Sequence, residues 1–549
     1  MSHAFRQPVF VMSVAVILAL VVMGAAFPEQ FNLRASAALD WVTASFGWFY
    51  LLSVFGFVVV LVYLAFSRYG DTRLGPPDSR PDYSFISWIS MLLAAGFGVG
   101  LVFYGMAEPM MHYLQPPHGM IDGGTRDAAR LAIQYSFFHW GVQQWAGFAI
   151  VGLIIGYYQF RKNEPGLVST VLKPVTDRLP ASGKLGSALD VFAVVATVMG
   201  VATSLGLGVL QINGGLAFLL GIPESIGWQA VILGVMFLAY MSSAATGLDK
   251  GIKVLSNINI ALALGLMVYV LAAGPTVVIF ETIIQGLGDY LQNFFVMSLH
   301  AGAFEDSAWA SKWTTFYWAW VIAWSPFVGT FIARISRGRT VKEYVFGVLV
   351  MPPLLACLWI GVFGGTALHL ELTQQAGLAA ATNANITGAV FTLFELLPFT
   401  TLLSIIGMLL TFIFLVTSAD SASYIVAQLT DRGSMDPPLL KRLTWGGLIA
   451  AICLTLIATG GLQGLQTGAI LAALPFAFIL YSMVWTLFQV LAADRQEALQ
   501  ELYEQHDGTP VGASIHEARL LVGGEMEGSP EEAGGAGLEE RVGRLSLAD

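Results

Sequence analysis

Two cysteines, Cys357 and Cys453, occur in 549 residues, each inside an apolar run, so neither a disulfide framework nor a cysteine-ligated metal cluster follows. Charge is scarce as well. Asp, Glu, Lys and Arg make up 11% of the chain against 56% hydrophobic residues, at a mean hydropathy of +0.70, which excludes an ordinary soluble protein with one core. HExxH, GxSxG and P-loop patterns are missing, so a membrane-embedded enzyme has no catalytic constellation to rest on. The formal net charge of −10 lies mostly after residue 492, where thirteen acids and four Arg leave −9. The body is nearly neutral, no nucleic-acid partner is expected, and the acidic tail would be repelled by anionic lipid.

Apolar length is what the chain has in plenty. Twelve runs, near 8–27, 46–66, 85–113, 131–159, 188–220, 226–246, 255–285, 314–335, 343–368, 389–428, 443–461 and 466–492, are long enough to cross a bilayer as helices. Basic residues test the count, because Lys and Arg gather in cytoplasmic loops. With the N-terminus inside, 22 of the 26 fall on the cytoplasmic side, and only Arg34, Arg126, Arg130 and Lys312 fall outside. Both termini are therefore expected in the cytoplasm. Arg6, an apolar run and Gly24-Ala25-Ala26 also supply the parts of a signal peptide, but the run is long for one and its removal would leave an odd span count.

Individual spans carry chemistry. The third holds Gly96, Gly98 and Gly100, each weakening a helix by roughly 1 kcal/mol. Unwinding near Phe97 would free carbonyls for a cation, and close helix packing is the plainer alternative. The fourth opens with HWGVQQWAGF, which on a straight helix spreads Trp140, Trp145 and Phe148 over an arc of about 140°. The eighth, WTTFYWAWVIAWSPFVGTFIAR, aligns Trp313, Tyr317, Trp320, Trp324, Phe327 and Phe331 on one face before an expected break at Ser325-Pro326. Such a stripe fills a core, faces lipid or holds a cation by its ring faces. Thr197, Thr203 and Ser204 in the fifth span, and Thr417, Ser418, Ser421 and Ser423 around Asp420 in the tenth, offer hydroxyls to a hard cation or to their own helix carbonyls. Asp420 is a functional candidate by depth, or the partner of a loop base. Residues 286–299 read as a short interfacial amphipathic helix.

Helices 3 to 7 and 8 to 12 superpose as two groups of five, each with a broken first helix and a hydroxyl cluster in its third, the pattern of a five-plus-five inverted repeat. SWISMLLAAGFGVGLVFYGMAEP, HWGVQQWAGF, GLDKGIKVLSNIN, FYWAWVIAWSPFVGTFIARISRGRTVKE and FLVTSADSAS resemble the signatures of the betaine/choline/carnitine transporter family over most of residues 50–495. The resemblance implies an all-α polytopic membrane protein of LeuT type, with twelve helices, two of them extra at the N-terminus, alternating access and a homotrimer in the plasma membrane. It divides the chain into 1–84, two helices and a linker; 85–299, the first repeat with the interfacial helix; 300–492, the second repeat; and 493–549, a largely disordered acidic tail.

The resemblance further implies no cofactor, sodium as the coupling ion, and a substrate onium group among Trp140, Trp145, Phe148, Trp320, Val321 and Trp324, with its carboxylate at the backbone of Phe97. One sodium would take carbonyls of Ala94 and Phe97 with Phe414, Thr417 and Ser418; the other would take Thr197 and the Phe327 ring. Gly100 at the end of the glycine motif favours sodium over protons. Phe97, Phe148, Val321 and Val201 depart from the family pattern, the first three bearing on the substrate and the last on the second sodium. Trp restored at position 321 is expected to favour betaine. The reading is sodium-coupled uptake of glycine betaine or dimethylsulfoniopropionate. Its rivals are a sodium-independent exchanger or a proton symporter of choline or carnitine, with Glu108 or Asp420 on the proton route, and a non-transporting osmosensor.

Overall fold

Apolar runs in which every backbone group is satisfied within one helix are what a bilayer tolerates, and the fold is built from little else. The computed structural model describes residues 7–96, 98–180, 182–246, 249–304 and 308–505. Among them lie helices α1 (Pro8–Ala26), α2 (Pro28–Phe66), α3 (Phe85–Gly96), α4 (Val99–Leu114), α5 (Arg126–Trp140), α6 (Val142–Gly156), the single turns α7 (Val168–Val171) and α8 (Lys173–Thr176), α9 (Ser182–Leu220), α10 (Ile226–Thr246), α11 (Asp249–Ala273), α12 (Thr276–Gln292), α13 (Phe294–Leu299), α14 (Ala308–Ala310), α15 (Phe316–Ile335), α16 (Val341–Gln374), α17 (Leu378–Ala384), α18 (Ala389–Glu395), α19 (Thr400–Leu429) and α20 (Leu439–Gln505). The described residues contain no strand beyond one isolated bridge between Arg73 and Thr340.

Ten of the described helical stretches are long and apolar enough to cross a membrane. The difference from twelve is local. The 67-residue α20 carries two expected spans, joined at a kink where Gly461 takes φ +57°, and the third expected span is divided between α3 and α4. Burial grades the crossings from enclosed to uncovered. The apolar windows of Arg126–Arg161 and Ser182–Leu220 are 94% buried and that of Ala308–Ile335 is 89% buried, against 22% for Pro8–Ala26 and for Val254–Ala273. Apolar helices that stay uncovered suit an apolar neighbour such as lipid.

Several boundaries depart from the sequence expectation. Pro28 opens α2 at the first helical position, 18 residues before the expected start. The seventh span stops at Ala273, because Gly274-Pro275 interrupts it, and the interfacial helix begins at Thr276 rather than Gly286. The fourth span bends at Gly141, which separates α5 from α6. The tenth is split into α18 and α19, with Phe399 at φ +65° before the second. Phe97 and the tail after Gln505 lie outside the described residues, whereas 493–505 continue α20.

A polar clasp joins the linker after α2 to the loop after α15. Leu74 N–H donates to the Arg339 carbonyl at 2.9 Å, Gly338 N–H to Leu74 at 2.8 Å and Val341 N–H to Thr72 at 2.9 Å. The buried Arg339 guanidinium donates to the Tyr83 carbonyl at 2.8 Å and lies 4.8 Å from the Trp88 ring centre. The start of α3 is thereby tied to the end of α15.

Candidate substrate site

Close helix approach builds the site. A Cβ on Gly147 of α6 would stand 2.4 Å from Val321 Cγ1 of α15, one on Gly329 would stand 2.8 Å from Gly152 N, and one on Gly200 of α9 would stand 3.0 Å from the Ala323–Trp324 backbone. Small residues let these helices pack almost backbone to backbone, so the side chains of α15 reach straight into α6 and α9. Pro326 does not break α15, contrary to expectation. The ring removes the N–H that would serve the Ile322 carbonyl, and the Ser325 hydroxyl donates to that carbonyl at 2.8 Å instead.

The aromatic stripe is continuous and mostly enclosed. Trp313 stacks on Tyr317 and Trp320 on Trp324, with Phe327 packed 5.7 Å beyond; only Phe331, 37% exposed, turns outward. Its middle forms an arc of rings with α5 and α6. Trp140 meets Trp320 edge to face at 6.2 Å, Trp145 meets Phe148 at 5.5 Å, and Phe148 meets Trp324 at 5.9 Å. The bend at Gly141 brings Trp140 and Trp145 to one cavity, so the arc expected of a straight helix does not describe them. Trp140, Trp145, Phe148, Trp320, Val321 and Trp324 line this cavity together with Gly98, Gly100, Gln144 and Ala356. At about 20 Å³ it has room for little more than one water, so the rings must part before a solute enters. Gly100 is crowded, since a Cβ there would stand 2.3 Å from the Trp320 ring and 2.9 Å from Trp140. Val321 packs on Gly147 on one side and lines the cavity on the other.

Behind Trp140 sits a hub that sequence reasoning saw only in part. The buried Glu108 of α4 accepts hydrogen bonds from His112 Nε2 at 3.1 Å, His139 Nδ1 at 2.7 Å, the Trp140 indole at 2.8 Å and the Tyr317 hydroxyl at 2.5 Å. With Nδ1 donating, His139 Nε2 accepts from the Thr314 hydroxyl at 2.9 Å. Ligand atoms of Glu108, His112 and His139 lie within 4.8 Å of one another, a spacing open to a metal, and the two histidine contacts onto the carboxylate, 3.1 and 2.7 Å, are equally ordinary hydrogen-bond distances. Glu108 and His112 stand four residues apart on one helix face, the only local signal; His139 and Tyr317 join from elsewhere. Asp420, by contrast, lies 3.6 Å from Arg442 and 3.2 Å from Ser243, paired with a base at the start of α20.

Among the described residues expected to hold sodium, Thr197, Phe327, Phe414, Thr417 and Ser418 are not part of the cavity lining. Trp320 donates to Ser204 Oγ at 3.2 Å while Gly200 meets Ala323, an antiparallel register that carries Thr197 to the level of Phe327. Leu415 of α19 and Val99 of α4 both close on Gly208, so Thr417 and Ser418 fall near the level at which α4 begins, with Phe414 one turn earlier. The hydroxyls of Thr197 and Thr417 donate to Ala193 at 2.7 Å and Ile413 at 2.9 Å, which leaves their lone pairs free. Ala94 ends up near the close of α3, and Phe97 is not among the described residues.

Enclosed rings at a crossing of buried helices, set beside a divided membrane helix, define a polytopic solute carrier rather than an enzyme. The family model described as BCCT, betaine/carnitine/choline family transporter, matches residues 8–496, and the chain belongs to that family. It is 49% identical over 500 residues to the ectoine/hydroxyectoine transporter of Virgibacillus pantothenticus, covering 91% of this chain and 99% of that one. It is 44% identical to the glycine betaine transporter OpuD of Bacillus subtilis (89% and 95% covered) and 37% identical to the high-affinity choline transport protein of Escherichia coli K12 (88% and 72% covered).

Proposed function

We propose that the protein takes up a small zwitterionic onium compound, of the kind represented by glycine betaine, ectoine or dimethylsulfoniopropionate, by sodium-coupled alternating access. The carrying observation is the set of five aromatic residues, Trp140, Trp145, Phe148, Trp324 and Trp320, that line one cavity with no acidic residue among its described lining. Ring faces attract a weakly hydrated cation without the desolvation that a buried carboxylate would demand. A ligand that carries its own carboxylate arrives neutral, which suits such a site.

Sodium enters this proposal as a co-transported substrate. Its support is the level of Thr417 and Ser418 with the start of α4, and of Thr197 with Phe327. Coupling follows if the ion stabilises the divided helix that the solute also needs, so that each tightens the other. The crowding of Gly100 by Trp320 and Trp140 leaves no room there for a proton-carrying carboxylate. A homotrimer with both termini in the cytoplasm, and two inverted five-helix repeats, complete the reading. The Glu108 hub favours one rival, proton coupling, because a buried carboxylate there is bonded to two histidines.

Reconstituted in proteoliposomes, the protein is expected to accumulate labelled glycine betaine or ectoine only under an inward sodium gradient. Uptake indifferent to sodium but abolished by collapsing the pH gradient would select the proton symporter instead.

A further inference from the structure

Two adjacent glutamines at the start of α6 meet opposite fates. Gln143 is fully engaged, accepting from the Tyr290 hydroxyl at 2.5 Å and donating to Ser298 Oγ at 2.9 Å; it anchors α6 to α12 and α13. Gln144 is 6% exposed and lines the aromatic cavity, where its Oε1 is buried without a hydrogen-bond partner. The indole N–H of Trp324, another lining residue, is buried and unpartnered too. Buried polar atoms are paired in the great majority of cases, so an acceptor and a donor left open in one cavity want a ligand that supplies the complements.

Trimethylammonium and dimethylsulfonium groups carry no N–H and would leave Gln144 Oε1 unsatisfied in a desolvated site. A cyclic amidinium does carry N–H groups, and its delocalised charge still suits the rings. On the reading of this cavity as the onium site, we infer that Gln144 selects a compact zwitterion whose cation bears N–H donors, a cyclic amidinium carboxylate such as ectoine, over fully alkylated onium compounds. Gln144 Oε1 accepts from the amidinium N–H, and the Trp324 indole donates to the carboxylate. The rings hold the charge, and the amide makes the distinction. A site built to hydrogen-bond a group discriminates against the analogue that lacks it far better than an apolar pocket discriminates by shape.

The test compares ectoine and glycine betaine binding to the purified full-length chain in sodium, read by quenching of the cavity tryptophans. The wild type is expected to bind ectoine at least about 10-fold more tightly. Gln144→Leu is expected to lower the ectoine-to-betaine affinity ratio by about 10- to 100-fold, the range of a lost hydrogen bond to a charged group. Gln144→Glu, which keeps an acceptor oxygen, is expected to restore the ratio, and Gln144→Met repeats the deletion should the Leu variant fail to fold. Wild-type binding of betaine as tight as ectoine, or an unchanged ratio in both deletion variants, overturns the selection by Gln144 while leaving the onium site standing. Binding of neither compound sinks the onium site itself, and the selection with it.

Discussion

At the scale of single residues, Glu108 shows how a buried carboxylate shapes a site it does not line. Four donors converge on it, two of them from rings of the aromatic system, Trp140 and Tyr317. Glu108→Gln keeps the volume but replaces one acceptor oxygen by an N–H; of the four partners the Trp140 indole can only donate, and each buried donor left unsatisfied costs about 1–3 kcal/mol. The expected outcome is a clear fall in melting temperature together with weaker solute binding, since Trp140 loses the bond that orients it. Unchanged binding in a destabilised variant would confine Glu108 to a structural role. Glu108 was legible as a buried ionisable residue; its function as a hub was not, because Tyr317 lies 209 positions away.

At the scale of elements, α15 is the instructive case. Its 3–4-residue aromatic spacing was plain from the sequence, as was the Pro that ought to interrupt it. The interruption does not occur, because the neighbouring Ser325 supplies the hydrogen bond that Pro326 cannot. Ser325→Ala removes that donor from a buried carbonyl and is expected to cost about 1–3 kcal/mol, measurable as a lower unfolding midpoint, and to weaken solute binding by kinking the turn that carries Trp324. A loss of stability with Trp324 quenching intact would show that the helix tolerates the orphaned carbonyl. The bend at Gly141 taught the reverse lesson. The sequence offered four Gly in this apolar run, and only the contacts reveal why position 141 must be Gly: a Cβ would stand 2.4 Å from the Phe137 carbonyl and 2.7 Å from the Tyr290 hydroxyl.

At the scale of the molecule, elements distant in the chain are pinned by a few polar links at the ends of the apolar body. Arg130 of α5 donates two bonds of 2.6 Å to Asp289 of α12, and these hold the Asp289 carboxyl below its ordinary range. A carboxyl depressed by folding contributes stability above its unfolded pKa of about 3.9 and loses it as pH falls through the folded value. The contribution is therefore flat between about pH 5 and 8. The melting-temperature gap between wild type and Asp289→Asn is expected to be constant across that range and to close only below about pH 4. A gap that varies between pH 6 and 8 would count against the pair.

The sequence by itself determined the membrane character, the aromatic face of α15 and the weak point near Gly98. Each of these is set by neighbours within one or two helical turns, through apolar length, 3.6-residue periodicity and the conformational freedom of glycine. Only the tertiary structure decided that Gln144 rather than Gln143 opens into the cavity, that Glu108 gathers two rings and two histidines, and that Val321 seats on Gly147. Those outcomes depend on which helices meet and in what register, and contact energies between residues hundreds of positions apart leave no periodic trace in the chain.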